Sequence, residues 1–328
     1  MISVVMATYN GERYVEKQLQ SILNQSLMPD EVIIRDDGST DSTVQIVQKF
    51  IDSHNLSSWE IKVNDENLGY RKNFANLLSL ASGDYIFLSD QDDEWFSDKI
   101  SKMVKIFKDN KDIQALNGSI SLIDGNSNKI KVVKKKNMYN ENLYFSTEQL
   151  NTINRVSLAT LVVTNITPGC AMAITKELRD SFIKTYEFIL PHDWYLNMLA
   201  AYNKGCYFLN EPVIGYRIHA NNTIGVDSEK ITDKLDKFDS KKRIRDFQAQ
   251  VGALSKIEKI FGEIDVTTKD SRDFVLARIE FYKNPNFKTL FKLRNYVDYK
   301  NRTAVKGRLW DIILSLKIDK FIYAFKKK

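Results

Sequence analysis

Two cysteines in 328 residues, Cys170 and Cys206, are too few for a disulfide scaffold and form no CxxC pair, so the chain reads as a protein of a reducing compartment. It lacks any uninterrupted apolar run of roughly 17 residues, which argues against a membrane span. The opening MISVVMATYNGERY turns polar early and carries no basic segment ahead of its apolar stretch, so it does not read as a secretory signal. No GxxxxGK[ST] occurs, which disfavours a P-loop, and Gly11 stands outside the glycine pattern of a dinucleotide fold. Phosphates bound here would need a metal ion and a basic residue instead.

What is present is a globular composition, 43% hydrophobic and 27% charged, in a 38.0 kDa chain about twice the size of a typical domain. Charge is uneven: thirteen Lys/Arg against three Asp/Glu leave the last 48 residues at +10, so the remainder carries −4. A basic tail on a mildly acidic body suits anionic lipid, nucleic acid or an acidic protein. The nucleic-acid reading, through Arg243, Lys300, Arg302 and Lys306, has no helix-turn-helix, zinc or RNP motif behind it, and no nucleic-acid partner is expected.

Ile2 to Ala7 is an almost wholly apolar run, the pattern of a strand buried on both faces of a parallel sheet. Tyr14 to Leu27 sets Val15, Leu19, Ile22 and Leu23 at helical spacing, and Pro29 closes it. A strand at Val32 to Ile34 is followed by the turn Asp36-Asp37-Gly38-Ser39-Thr40-Asp41, which can cap a helix running to about Phe50. A strand near Ile61 to Val63, a helix from about Arg71 to Leu80, a strand at Tyr85 to Leu88 and a helix from about Ser97 to Phe107 continue the alternation. Further strands are expected near Ala115 to Leu122, Ala171 to Ile174 and Cys206 to Leu209, with Asp124 to Tyr139 an exposed, basic hairpin or loop. This predicts an α/β fold with a doubly wound, mostly parallel sheet. From about Asp227 the steps of Ile244, Phe247, Val251, Leu254 and Ile257 are helical, which divides the chain into an α/β body over 1–226 and a helical, basic region over 227–328.

The richest stretch is Ser89-Asp90-Gln91-Asp92-Asp93-Glu94-Trp95, at the exit of a buried strand. Crowded carboxylates repel one another unless a cation or hydrogen-bond donors compensate, and a hard divalent ion with a substrate's phosphates fits that chemistry. Asp36-Asp37 follows another strand, and parallel strands would bring both clusters to one rim, where open α/β sheets bind ligands.

These pieces carry a resemblance. Ser3 to Gly11, Ile34 to Asp41, Glu66-Asn67-Leu68-Gly69 with Lys72-Asn73-Phe74, Gly83 to Trp95, Pro191-His192-Asp193-Trp194, and Glu211-Pro212 with Tyr216 to Asn222 follow the order seen in family 2 glycosyltransferases of the GT-A fold. Within that family the chain resembles the bacterial rhamnosyltransferase-like members that build surface polysaccharides. The resemblance spans about the first 220 residues and implies a nucleotide-sugar site. Ala7, Thr8, Tyr9, Glu12 and Asp37 would bind the nucleotide. Asp90 would lie nearer the ribose, Asp92 would hold Mn²⁺ or Mg²⁺ on the diphosphate, and Asp93 would support the turn. Lys72, ahead of its neighbour Arg71, would face the diphosphate. His219 would close the metal and phosphate side or hold its own loop. Asp193 would be the general base, preceded here by His192 where many members carry glutamate.

A hydroxyl is a poor nucleophile, so a carboxylate must accept its proton as the new bond forms, and Asp193 opens the helical segment Trp194 to Ala201, whose N–H groups favour its charged form. Trp95 and Trp194 either stack on a sugar or cover the core.

From Arg308 to Lys328, Leu309, Ile312, Ile313 and Leu316 repeat at helical steps among lysines. This segment either lies in a membrane interface or packs on the protein or in a homo-oligomer interface. The expected activity is inverting, metal-dependent sugar transfer to a glycan or lipid-linked saccharide, with dTDP-L-rhamnose ahead of UDP-hexoses as donor, in the cytoplasm at the inner membrane face. Nucleotide-sugar hydrolysis and an inactive GT-A-like binding scaffold are the alternatives.

Overall fold

In the computed structural model, residues 1–131, 150–218, 239–303 and 305–318 are described. The sequence alternation becomes β1 (Ile2–Thr8), α1 (Val15–Leu23), β2 (Glu31–Asp36), α2 (Thr43–Ser53), β3 (Trp59–Val63), α3 (Gly69–Leu80), β4 (Tyr85–Ser89), β5 (Glu94–Trp95) and α4 (Lys99–Asp109). It continues with β6 (Ala115–Ile123), β7 (Ile153–Arg155), α5 (Leu158–Val163), a 3₁₀ turn (Gly169–Ala171), β8 (Met172–Thr175), α6 (Lys176–Thr185), α7 (His192–Tyr202) and β9 (Cys206–Arg217).

Among the described residues nine strands form one sheet in the order β3-β2-β1-β4-β8-β6-β9-β5, with β7 also on β9. β3, β2, β1 and β4 are parallel, β8 runs antiparallel between β4 and β6, and β9 is again parallel to β6. This is the expected mostly parallel α/β sheet. β1 is buried along nearly its whole length, with α3 packed against it, which is why its sequence is a continuous apolar run without alternation. The register pairs Thr8 with Asp36 and Met6 with Ser89, so the exits of β1, β2 and β4 share one rim.

β9 is far longer than the Cys206 to Leu209 strand the sequence suggests. Asn210-Glu211-Pro212 breaks the apolar alternation, yet Pro212 sits where the β6–β9 register shifts, an irregularity that tolerates its missing N–H. A Cβ on Gly118 would overlap the Val213 side chain, so glycine is required for the two strands to approach there. The exposed segment expected from Asp124 is seen as a turn as far as Lys131, where Asp124 Oδ1 accepts from Asn126 N and Asn128 N; its remainder lies outside the described residues.

Two compact units result: one holds the described residues of 1–157 and 165–225, the other those of 158–164 and 226–328. The inclusion of α5 in the second unit has no counterpart in the sequence division. That unit's helices are α8 (Ser240–Phe261), α9 (Val266–Lys283), α10 (Phe287–Arg294), α11 (Val297–Arg302) and α12 (Val305–Ser315). Asp239 caps α8 and Asp265 caps α9, each accepting backbone N–H groups, and Asn286 with Thr289 forms a capping box on α10. In α12 the apolar stripe is not the inward face. Asp311, Leu314 and Ser315 are buried, whereas Leu309, Ile312 and Leu316 are exposed. No helix among the described residues is long and apolar enough to cross a membrane.

Candidate active site

The rim is built by carboxylates that organise turns. Asp36 accepts from Thr8 Oγ1 at 2.7 Å, Ser39 N at 2.7 Å and Ser39 Oγ at 2.6 Å, so it ties β1 to the turn after β2. Its neighbour Asp37 accepts from Asn64 Nδ2 at 2.9 Å and from Leu68 N and Gly69 N at 2.8 Å each, closing the start of α3. The Thr8 side chain is therefore turned into the protein, while Tyr9 is 49% exposed at the rim and Ala7 is partly buried. Glu12 Oε2 accepts from Ser42 N at 2.9 Å, an engagement with the start of α2 that the sequence did not disclose.

The turn after β4 is denser. Asp93 is buried and accepts from Arg217 N at 3.0 Å, and Arg217 Nε donates to the Asp92 carbonyl at 2.7 Å. Arg217 also pairs with Glu94, so β9 clamps the acidic turn. Burial, with Asp92 next, pushes the Asp90 carboxyl up to about 7, and the same two causes hold Asp93 well above the ordinary range.

Beneath the turn lies Lys99, fully buried at the start of α4. Its Nζ donates to the Cys170 carbonyl at 2.6 Å and stands 3.5 Å from the centre of the Trp95 ring. Burial pushes its ammonium down to about 7, against the raising influence of Cys170, Asp93 and Asp90. Trp95 is thus a core residue, between Lys99 and Phe87. β5 pairing on β9 turns it inward.

Across the rim, Asp193 sits in the first turn of α7 and is 8% exposed. Burial raises its carboxyl to about 6, opposed by the Trp194 N–H, Asn165 and its own N–H. Its charge is felt at Asp90, which links the two halves of the site. His192 is buried, stacked on Phe74 with ring centroids 4.0 Å apart, and held neutral because burial and then Arg71 push it down to about 3. Arg71 Nη1 donates to the Phe188 carbonyl at 2.9 Å, fixing the segment ahead of α7, while Lys72 is exposed. Trp194 is half-buried on the same turn as Asp193, and His219 lies outside the described residues.

Asp90, Asp93 and Cys170 bring one ligand atom each within 4.8 Å of one another. The carboxylates, with Asp92 close enough to act on both, are hard oxygen donors that suit Mn²⁺ or Mg²⁺. Burial, then Asp93, holds the Cys170 thiol well above its usual range, so it stays protonated and contributes no hard ligand.

Residues 3–174 match the model of Glycosyl transferase family 2. The chain belongs to that family. The dTDP-rhamnosyl transferase RfbG of Shigella flexneri is 30% identical over 238 residues, covering 68% of this chain and 74% of that protein. Crystalline S. aureus TarS 1-349 in complex with UDP-GlcNAc superposes at a TM-score of 0.56 and 17% identity, over 98% of this chain and 91% of that one. The mannosyltransferase PcManGT from Pyrobaculum calidifontis, in complex with GDP-Man and Mn²⁺, gives 0.52 and 17%, over 100% and 87%. Both neighbours share the GT-A architecture of this family 2 glycosyltransferase.

In this family 2 enzyme the fold brings Ala7, Thr8, Tyr9, Asp37, Asp90, Asp92 and Asp93 to the exits of β1, β2 and β4, with Asp193 acting on Asp90 from α7. Glu12 is drawn to the α2 turn and Trp95 into the core. Sequence reading missed Gln91, Lys99, Asn165 and Arg217. Of these only Lys99 carries a local signal, an apolar-periodic helix start that sets a lysine on the inward face.

Proposed function

We propose that this glycosyltransferase inverts configuration and moves L-rhamnose from dTDP-L-rhamnose to a hydroxyl of a glycan or lipid-linked saccharide in bacterial surface polysaccharide synthesis. The observation that carries the reaction is the opposition of Asp193, a nearly buried carboxylate with a raised pKa, to the acidic rim at Asp90. The resemblance to the S. flexneri dTDP-rhamnosyl transferase supports the choice of sugar.

In this reading Asp193 takes the acceptor proton as the acceptor oxygen bonds to the anomeric carbon. The bond from that carbon to the phosphate oxygen breaks on the opposite side, and the nucleoside diphosphate leaves with the electron pair. Asp92 would hold a divalent ion, with Asp90 nearer the ribose, and that ion would supply charge neutralisation to the leaving diphosphate. Lys72, exposed in the first turn of α3, adds positive charge on that side, and Tyr9 with the Asp37 turn receives the nucleotide. His219 is proposed to close the metal and phosphate side. His192, neutral and unable to donate charge, shapes the wall beside the base, and Trp194 borders the acceptor.

The outward apolar face of α12, with the +10 charge of the last 48 residues, supports a peripheral membrane position on the cytoplasmic side, where a lipid-linked acceptor would be met. The test is a panel of nucleotide sugars with Mn²⁺ scored by melting shift, followed by NMR of the transfer product. A β-linked dTDP-L-rhamnose that stabilises the fold and yields an α-L-rhamnoside is the expected result. A UDP-hexose that alone stabilises it would replace the sugar, and a retained anomeric configuration would overturn the single displacement.

A further inference from the structure

Three asparagines, Asn165 half-buried and two fully buried, stand behind Asp193. Asn165 Nδ2 donates to Asp193 Oδ2 at 2.8 Å. The orientation of the Asn165 amide is fixed by its other end, where Oδ1 accepts from Ile166 N at 3.0 Å, a group that can only donate. Oδ1 also accepts from Asn197 Nδ2 at 3.3 Å. Asn197 lies one turn along α7 from Asp193 and exchanges two hydrogen bonds with Asn117 of β6: Asn117 Nδ2 donates to Asn197 Oδ1 at 2.8 Å, and Asn197 Nδ2 donates to Asn117 Oδ1 at 3.1 Å. Asn117 Nδ2 donates in turn to the Tyr207 carbonyl of β9 at 3.2 Å. Asn117 and Asn197 are fully buried.

Burying amides is costly unless each is satisfied. Here the chain of amides is anchored on a sheet backbone at one end and ends on the carboxylate at the other. From this juxtaposition we infer that Asn165 is a positioning residue for the transfer reaction, holding Asp193 through Oδ2 so that its other oxygen is presented to the acceptor, with Asn197 and Asn117 fixing Asn165 against the sheet. This rests on the reading of Asp193 as the base. Asn165 carries no charge and has no titration of its own.

The donor has a second consequence. A hydrogen bond to a carboxylate favours its ionised form, so losing it moves the base's protonation upward in pH. The groups beside Asp193 that also carry charge or titrate are His192 on its own helix, Asp90 after β4 and Tyr186 after α6, and Arg71 on α3 acts on His192 and Tyr186. Burial holds His192 neutral and raises Tyr186 above its ordinary value, so neither changes charge in the working range of Asp193.

The experiment is the pH profile of kcat for wild type, Asn165→Leu, Asn165→Gln and Asp193→Asn at saturating donor and Mn²⁺. Asn165→Leu keeps the volume and removes the donor. Its expected result is an acid limb displaced upward by about one pH unit, a kcat about tenfold lower near pH 5, only about twofold lower at neutral pH and recovering at high pH, and an unchanged donor KM. Asn165→Gln, which can still donate, is expected to restore part of the limb. A kcat reduced equally at every pH, or an unmoved limb in folded Asn165→Leu, overturns the positioning role. Near-normal kcat in Asp193→Asn instead overturns the base assignment itself, so the two failures are distinct.

Discussion

The side-chain amide of Gln91 grips both sides of Tyr9, accepting from Tyr9 N at 2.8 Å and donating to the Tyr9 carbonyl at 2.8 Å. The loop after β1 and the acidic turn after β4 therefore share one support. A Cβ on Gly11 would overlap the Gln91 amide and push it off Tyr9. Gln91→Leu is expected to raise the donor KM about tenfold while kcat stays within about threefold, because the lost bonds position the nucleotide side and not the reacting atoms. Gly11→Ala should do the same, and the double variant should be little worse than either alone. Steady-state kinetics decide it: an unchanged donor KM in Gln91→Leu removes the role.

The raised Asp193 carboxyl also makes a stability prediction. Its folded value is about 6, whereas the unfolded chain titrates it near the ordinary carboxylate value of about 3.9. Between those values the native state holds a proton that the unfolded state has released, so this group's contribution to stability falls as pH rises from about 4 to 6 and stays low above it. Two pKa units correspond to roughly 3 kcal/mol. Asp193→Asn, although expected to lose on the order of 10²–10⁴-fold in kcat, should melt higher than wild type at pH 8, with the gap closing toward pH 4. Melting curves across that range measure it, and a variant melting lower at pH 8 counts against it.

Lys99 is a buried cation whose charge acts on Asp90 and is favoured by Asp93 and Asp90. Lys99→Met keeps the apolar stem against Trp95 but removes the ammonium that donates to Cys170 O. Taking one partner from a buried charged group costs about 3–5 kcal/mol, so the metal-free variant should melt well below wild type. Mn²⁺ should raise its melting temperature more than it raises wild type's, since a bound ion would supply the missing positive charge. Equal shifts in both proteins would show that Lys99 does not serve this purpose.

The parts of the molecule legible in the sequence were those whose signal is local. Ile2 to Ala7 announces a two-face buried strand, and the aspartates after β2 and β4 announce a rim because strand exits align in a parallel sheet. β5 and β7, at two and three residues, are too short to show any period. The partners of Asp193 are invisible for another reason: Asn165 is 28 residues away, and Asn117 is 80 from Asn197, so only the fold brings them together. The sequence leaves Trp95 between a sugar platform and a core residue because Glu94 beside it is polar. Pairing of β5 with β9 buries one and leaves the other on Arg217.

The inverted amphipathicity of α12 gives the membrane reading its test. Leu309 is 56% exposed and Ile312 39% exposed, while buried Asp311 stands 3.6 Å from Arg278 and 3.5 Å from the Tyr282 hydroxyl. Deleting the segment from Leu309 onward would strip Arg278 of this partner and damage the helical unit, so a truncation cannot separate docking from folding. Leu309→Glu with Ile312→Glu leaves Asp311 and Leu314 in place and changes only the outward face. An apolar strip flanked by lysines binds a bilayer by burying area and by attraction to anionic headgroups, with roughly 1 kcal/mol per basic residue near the surface. The wild-type protein is therefore expected to sediment with anionic vesicles, less with neutral ones, and less with anionic ones as salt rises. The double variant should stay in the supernatant with an unchanged melting temperature and unchanged turnover on a soluble acceptor. Wild-type protein that shows no preference for either vesicle over buffer would leave the exposed face of α12 to a protein partner and end the membrane reading.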